Sequence, residues 1–413
     1  MSAPARESES TGVNGASLSH RRALAGGFGF TAYSNTILQL VLAMVPVAVL
    51  HGDRVQPAVF SYALSLHVAA GLLASMAAPL LLARVQPGQV LVLSSLVRAV
   101  GYGALIVSVD KPALYAFAVL AGSGLGISRP AIRLLLNSAT GEAGRARVFQ
   151  IFFLILNGAF VLAPILAEAG RSRALLTLAV VTAVEIVGAL LVYVTTAVPA
   201  GPAGAQPPGR LAWRARWGLL LHRHVLVTLA FTLICYFSMG YVMAMFLLYD
   251  SVTPELAEHR TLFLSFEPLV LVGIQLALIP LFSRFGRRPL YLLAGLTLGP
   301  GMALAFSTSL WLVLAGLVLF AFAESLAMPK IQVEAGEAAP PGQQAAVFTL
   351  ITVATAVGEI LGNLAAGLTV QRATGSALDA GTAGMATGAA MTVAMLIVGV
   401  ALIRCGAHRP REA

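Results

Sequence analysis

Residues 198–217 read VPAGPAGAQPPGRLAWRARW, the longest interior stretch of this chain without an apolar run. Its proline and glycine content forbids a helix and its arginines hold it in water, so it reads as a linker. The flanking lengths of chain are apolar almost throughout. Of 413 residues, 58% are hydrophobic and only 10% charged, and the mean hydropathy is +0.86. A soluble domain carries about 25% charged residues, so this sequence has too few to cover a water-facing surface. It belongs in a lipid bilayer.

An apolar run of about 18 or more residues crosses the hydrocarbon core as a helix. Outward from the linker, six such runs precede it and six follow: 26–50, 57–83, 90–109, 112–136, 147–168 and 174–197, then 222–249, 261–283, 289–308, 310–332, 345–370 and 381–404. Strands are excluded, because continuously apolar segments would leave open sheet edges in lipid. The expected organisation is a disordered cytoplasmic tail over 1–25, a six-helix bundle over 26–197, a cytoplasmic linker over 198–221, a second bundle over 222–404 and a tail over 405–413. Residues 1–20 are polar, and nothing there resembles a cleavable signal peptide.

Loop charges set the orientation. With the N-terminus in the cytoplasm, the outer loops hold only Arg54, Lys111, Arg171, Arg173, Arg260 and Arg372, and most of the 26 basic residues fall inside. This satisfies the positive-inside rule with both termini cytoplasmic. Basic residues are almost all arginine, and alanine, glycine and proline abound, as in a GC-rich bacterial genome. The expected location is therefore a bacterial inner membrane.

Several function classes fall away. Cys235 and Cys405 make neither a disulfide framework nor a metal cluster, and the seven histidines are dispersed. The basic residues are scattered through short loops, not gathered into the patch a nucleic-acid binder needs. There is no Gly-x-x-x-x-Gly-Lys-[Ser/Thr] loop for ATP and no nucleophile–base arrangement, so the chain is not expected to be an enzyme. Gly122-Ser123-Gly124-Leu125-Gly126 looks superficially like a phosphate loop, but it lies inside an apolar span. There Gly122 and Gly126 form a small-xxx-small packing face.

The two halves resemble each other. Arg84 in LLLARVQPGQVLVL falls opposite Arg284 in PLFSRFGRRPLYLL, and Pro130, Ile132 and Val148-Phe149 match Pro329, Ile331 and Val347-Phe348. A parallel repeat of this kind puts a binding site between the halves, near the bilayer midplane.

With this repeat, the whole chain resembles the major facilitator superfamily. That family carries a loop motif Gly-x-x-x-Asp-Arg-x-Gly-Arg-Arg after its second and eighth spans. Ser283-Arg284-Phe285-Gly286-Arg287-Arg288 is close to it, with Ser283 replacing the acid, whereas Ala83-Arg84-Val85-Gln86-Pro87-Gly88 is eroded. In the fifth span, Asn157-Gly158-Ala159 and Ala163-Pro164 resemble the Gly-Pro-rich motif of drug/proton antiporters. Glu324 followed by Pro329 looks like the multidrug-efflux branch. The resemblance implies an all-α integral membrane protein with twelve transmembrane helices in two pseudo-symmetric six-helix bundles, acting as a monomer. It also implies export of a small hydrophobic organic molecule, driven by a proton gradient without a bound cofactor. Proton-coupled uptake of a nutrient, and a non-transporting sensor, are the alternatives.

The residues that could carry this chemistry are few. Glu185, Glu267, Glu324 and Glu359 lie inside spans, where an ionised, unpaired carboxylate costs about 2.5–3.5 kcal/mol or more. Such a group takes up a proton until water or a cation reaches it, which is what proton coupling requires. Glu324 is the leading candidate. Glu359 shares one helical face with Thr352, Thr355 and Asn363, a stripe that either lines a wet cavity or glues two helices. Glu267, beside Pro268, reads as a gate or as an interfacial acid. Glu185 is expected to have a structural partner. Asn35 and Gln39 (with Thr31) in the first span and Asn157 (with Gln150) in the fifth are candidate cavity donors and acceptors, or interhelical bonds. Tyr236, Met239 and Met243 would form an adaptable cavity wall or ordinary packing. His67 reads as a structural histidine or a proton relay. Arg98 is expected to snorkel to the cytoplasmic surface. Arg129 and Arg133 read as topology charges, or as contacts for an anionic substrate.

Overall fold

Apolar runs bounded by proline, glycine and short polar loops dictate helices, and the computed structural model contains them. It describes residues 8–50, 57–82, 84–108, 110–140, 142–196, 222–248, 254–282, 287–338, 344–375 and 380–407. Among the described residues these form α1 (Ser8–Leu50), α2 (Pro57–Leu82), α3 (Pro87–Val107), α4 (Lys111–Ser138), α5 (Glu142–Gly170) and α6 (Ala174–Thr196). The second set is α7 (Arg223–Leu247), α8 (Arg260–Phe282), α9 (Arg287–Ala305), α10 (Leu310–Ala338), α11 (Gln344–Gly375) and α12 (Ala380–Ala407). Short 3-10 turns at Arg171–Arg173 and Pro254–His259 lead into α6 and α8.

Local chemistry sets the helix starts. Pro57 and Pro87 open α2 and α3, where a missing N–H leaves no bond unmade. Asp110 accepts a 2.8 Å hydrogen bond from the Ala113 N–H and so caps α4. One expectation is corrected: α1 already begins at Ser8, inside the segment 1–25 read as disordered. No proline stands between Ser8 and Pro46, so the helix continues from the apolar run into the polar segment. The linker 198–221 lies outside the described residues, and α12 continues to Ala407, into the predicted tail 405–413.

Eight stretches of described residues are long and apolar enough to cross a membrane, one of which, Ile151–Thr196, runs through α5 and α6. Three shorter apolar helices, Thr261–Ala277, Tyr291–Ala305 and Ala386–Ala401, lie within α8, α9 and α12. Large apolar side chains such as Leu73, Val107, Trp311 and Ile397 stand exposed on the outside, Trp311 at 77%. That surface suits hydrocarbon as its solvent. The chain is a multi-pass membrane protein.

Packing repeats with a shift of six helices. α4 packs on α2 and α3, α6 on α1 and α3, and α5 on α1; correspondingly, α10 packs on α8 and α9, α12 on α7 and α9, and α11 on α7. The halves meet through α2 with α11 and α5 with α8, contacts related by the same shift. At the α2–α4 crossing, a side chain at Gly122 or Gly126 would collide with the backbone carbonyl of His67 or Gly71. The packing face expected from the sequence is therefore present. Gly240 and Gly362 let α7 and α11 approach in the same way.

Apolar contacts are unequal at the two ends. Around the C-terminal end of α1, the start of α2 and the end of α7, one continuous cluster joins both halves; it includes Met44, Phe60, Phe117, Tyr241, Phe246 and Phe306. Around the start of α3 and the end of α4 a separate cluster, including Phe30, Leu91, Ile132, Leu136 and Val192, draws only on the first six helices.

Candidate functional site

Three of the four intramembrane acids, Glu267, Glu324 and Glu359, lie on helices of the second half. Glu267 on α8 and Glu324 on α10 lie within electrostatic reach of each other. Two carboxyl groups that share a low-dielectric site resist being ionised together. Glu267 is half-buried on α8. Its Oε1 is buried without a hydrogen-bond partner among the described residues.

Glu359 on α11 lies within electrostatic reach of Arg129 on α4, in the other half. Tyr236 on α7 stands at the centre, within electrostatic reach of Glu359, Glu324 and Arg129. Arg133, one turn beyond Arg129, lies beside Arg129 and Tyr236. Both arginine side chains are solvent-exposed, although their charged and aromatic neighbours come from α7 and α11. The sequence placed these arginines at a helix end as topology charges first. Only their four-residue spacing on a polar face signalled more.

The remaining candidates divide. Thr355 and Asn363 lie one turn either side of Glu359 on α11, Thr355 half-buried and Asn363 buried. Asn157 donates a 3.2 Å bond to Gln275 Oε1 of α8 and so ties the halves together. Gln275 was not singled out from the sequence. Asn35 donates to the Thr31 carbonyl of its own helix at 2.8 Å, so that donor is spent locally. Gln39 is half-buried one turn further on. Met239 and Met243 pack against the main apolar cluster. His67 is buried and stacks on Phe117 at 6.2 Å between centroids, and its Nδ1 has no hydrogen-bond partner among the described residues.

Arg84 sits exposed in the turn between α2 and α3. Arg284 and Gly286 lie outside the described residues, and Arg287 and Arg288 open α9.

The fourth acid belongs elsewhere. Glu185 of α6 bonds Arg98 of α3, N–O 2.5 Å, with both side chains fully buried. Arg98 also donates to Ser34 and to Ser95 and lies over the Phe30 ring. The expected structural partner of Glu185 is thus present, and the expectation that Arg98 snorkels is corrected. Arg98 falls halfway along α3, too deep to reach water, and the nearby carboxylate satisfies its charge instead.

No protein-family model matches the sequence, and no curated protein is matched by it. Solved structures do match. The nucleoside transporter NupG (D323A mutant) superposes with a TM-score of 0.75 at 12% identity, over 93% of this chain and 99% of that one. The chain has the major facilitator fold. The peptide transporter POT in complex with sulfate gives 0.74 at 14% identity, covering 94% of each chain. A bacterial homolog of the human lysosomal transporter Spinster, inward-facing and unoccupied, gives 0.67 at 15%, over 94% of this chain and 96% of that one. At these identities the likeness is one of fold.

Proposed function

We propose that this protein is a secondary transporter that exports a small amphipathic organic molecule in exchange for protons, by alternating access. The observation that carries the reading is the proximity of two acids, Glu267 and Glu324, inside the apolar helices α8 and α10. A carboxyl pair holding one proton releases it when a cation arrives or when water floods the site, and regains it when the site closes. Rocking of the two bundles about α2–α11 and α5–α8 supplies the two environments. Solved structures of this fold that carry transporter names support a carrier.

In this proposal all twelve helices cross a bacterial inner membrane, both termini are cytoplasmic, and the chain works as a monomer. The continuous apolar cluster then closes the outer side, and the site opens to the cytoplasm. Arg129 opposite Glu359 favours a second reading, proton symport for uptake: protonating Glu359 would free Arg129 for an anionic substrate. In liposomes, accumulation of solute on the acidic side indicates exchange, and accumulation on the alkaline side indicates symport.

The proton site is tested in proteoliposomes under an imposed pH gradient, with dyes and hydrophobic antibiotics as solutes. Glu324→Gln and Glu267→Gln should each abolish gradient-driven flux while the protein still elutes as a monodisperse peak. Flux that keeps its full dependence on the gradient in both variants removes the pair from the mechanism.

A further inference from the structure

Where α2 meets α11, the two halves touch through small side chains. Ser61 and Ser65 stand one turn apart on α2, and both turn toward α11. The Ser65 hydroxyl has two acceptors within reach, the Ser61 carbonyl of its own helix at 3.0 Å and the Ile360 carbonyl of α11 at 3.3 Å. Ser61 is opposed by Gly367, where an added Cβ would stand 2.5 Å from Ser61 Cβ and 2.7 Å from its Oγ. The next nearest atom is Ala58 Cα at 3.6 Å, an ordinary contact. Ser61 is fully buried, and its hydroxyl has no hydrogen-bond partner among the described residues. The contact lies within the apolar cluster that joins the halves, with Phe60 and Leu64 on α2 and Ala366 and Val370 on α11. A stranded buried hydroxyl opposes the packing around it.

Resting on the reading of the protein as a carrier whose halves rock, we propose that the Ser61–Gly367 contact sets the balance of the gate at this end. Gly367 supplies the space that lets α2 and α11 close. The Ser61 hydroxyl limits how stable the closed form becomes. When the halves part here, water reaches that hydroxyl and restores its bonds; when they close, the water leaves and nothing replaces it. Ser65 keeps the Ser61 carbonyl as an acceptor in either form, so the loss on closing falls on Ser61. The α5–α8 seam works in the opposite sense, since closing it forms the Asn157–Gln275 and Glu168–Thr261 bonds at 3.2 Å each. Two changes at the α2–α11 contact therefore act in opposite directions. Deleting the hydroxyl deepens the closed form, and a methyl group at position 367 obstructs it.

The test uses the full chain in lipid nanodiscs and reads how often water reaches this end. Met44, buried in the same cluster, is changed to cysteine in a Cys235→Ala, Cys405→Ser background, and its labelling by a polar maleimide is timed. Ser61→Ala should slow labelling about fivefold or more, the factor expected for relieving one stranded hydroxyl. Gly367→Ala should speed it by a similar factor. Ser61→Gly combined with Gly367→Ala moves the side chain from one helix to the other, and should bring the rate down to that of Ser61→Ala. Labelling that is measurable but unchanged or faster in Ser61→Ala overturns the role of the hydroxyl and leaves the carrier intact. A Gly367→Ala rate that Ser61→Gly does not reverse overturns the contact. Ser61→Ala removes a single buried oxygen, so it decides the matter even if Gly367→Ala alone does not fold. No labelling in any folded variant shows an end that never opens, and overturns the carrier reading together with the gate.

Discussion

Arg98 and Glu185 form an ion pair at 2.5 Å from which water is wholly excluded, joining α3 to α6 inside the first bundle. Glu185 Oε2 and Arg98 Nε have no further partner among the described residues, so each charge depends on the other. Removing one partner leaves a buried charge alone, which is far costlier than losing both.

Glu185→Ala is therefore expected to destabilise the protein by about 3–5 kcal/mol, seen as a large fall in melting temperature in detergent. The double change Arg98→Met with Glu185→Leu should recover most of that loss. A Glu185→Ala protein that melts like the parent would show that water or another group reaches Arg98.

Glycines in α4 and α5 should respond oppositely to a single methyl group. A Cβ at Gly122 meets the His67 backbone, whereas one at Gly158 meets nothing within 4 Å. Gly122→Ala should lower the melting temperature and the folded yield, because α2 and α4 must separate. Gly158→Ala should hold or raise stability, by up to about 1 kcal/mol from helix propensity. The resemblance places Gly158 in an antiporter motif, so intact stability with lost flux in that variant would mark it as functional.

Asp110 supplies a pH dependence outside the membrane. The Ala113 N–H and the Ser108 hydroxyl donate to its carboxylate and hold it below the usual aspartate range. Since the folded value is depressed, its contribution is complete above the ordinary value of about 3.9 and disappears as pH falls through the lower folded value. The melting-temperature gap between the parent and Asp110→Ala should be constant from neutral pH to about 5 and should close in stronger acid. A gap that widens on acidification contradicts this assignment.

Asn157 and Gln275 bridge the halves through one 3.2 Å bond. Interhelical bonds of this kind average about 0.6 kcal/mol in membranes. A double-mutant cycle with Asn157→Leu and Gln275→Leu should give a coupling of that size, and flux should change more than stability, because the bond lies on a seam that must shear. A coupling near zero would show that the two side chains do not bond in the bilayer. Glu168 and Thr261, bonded at 3.2 Å on the same α5–α8 seam, offer a comparison pair.

Much of this architecture was legible one segment at a time. Long apolar runs can only be helices in lipid, and the halves matching from Pro130 to Val148-Phe149 implied a duplicated bundle. Gly122 and Gly126 declared a close crossing through their spacing alone. Periodicity also put Glu359, Thr355 and Asn363 on one face of α11. What a helical period cannot encode is which face of another helix lies opposite, because that depends on crossing angles and depth.

For that reason the three-dimensional packing alone decided that Glu267 comes near Glu324 and Glu359 near Arg129, and that Arg98 turns inward to Glu185. The primary structure determined a membrane protein built of two similar bundles with acids in its interior, since the energetic demand of hydrocarbon acts on each residue separately. Tertiary structure decided which charges are paired, since pairing is a property of two helices that only folding brings together.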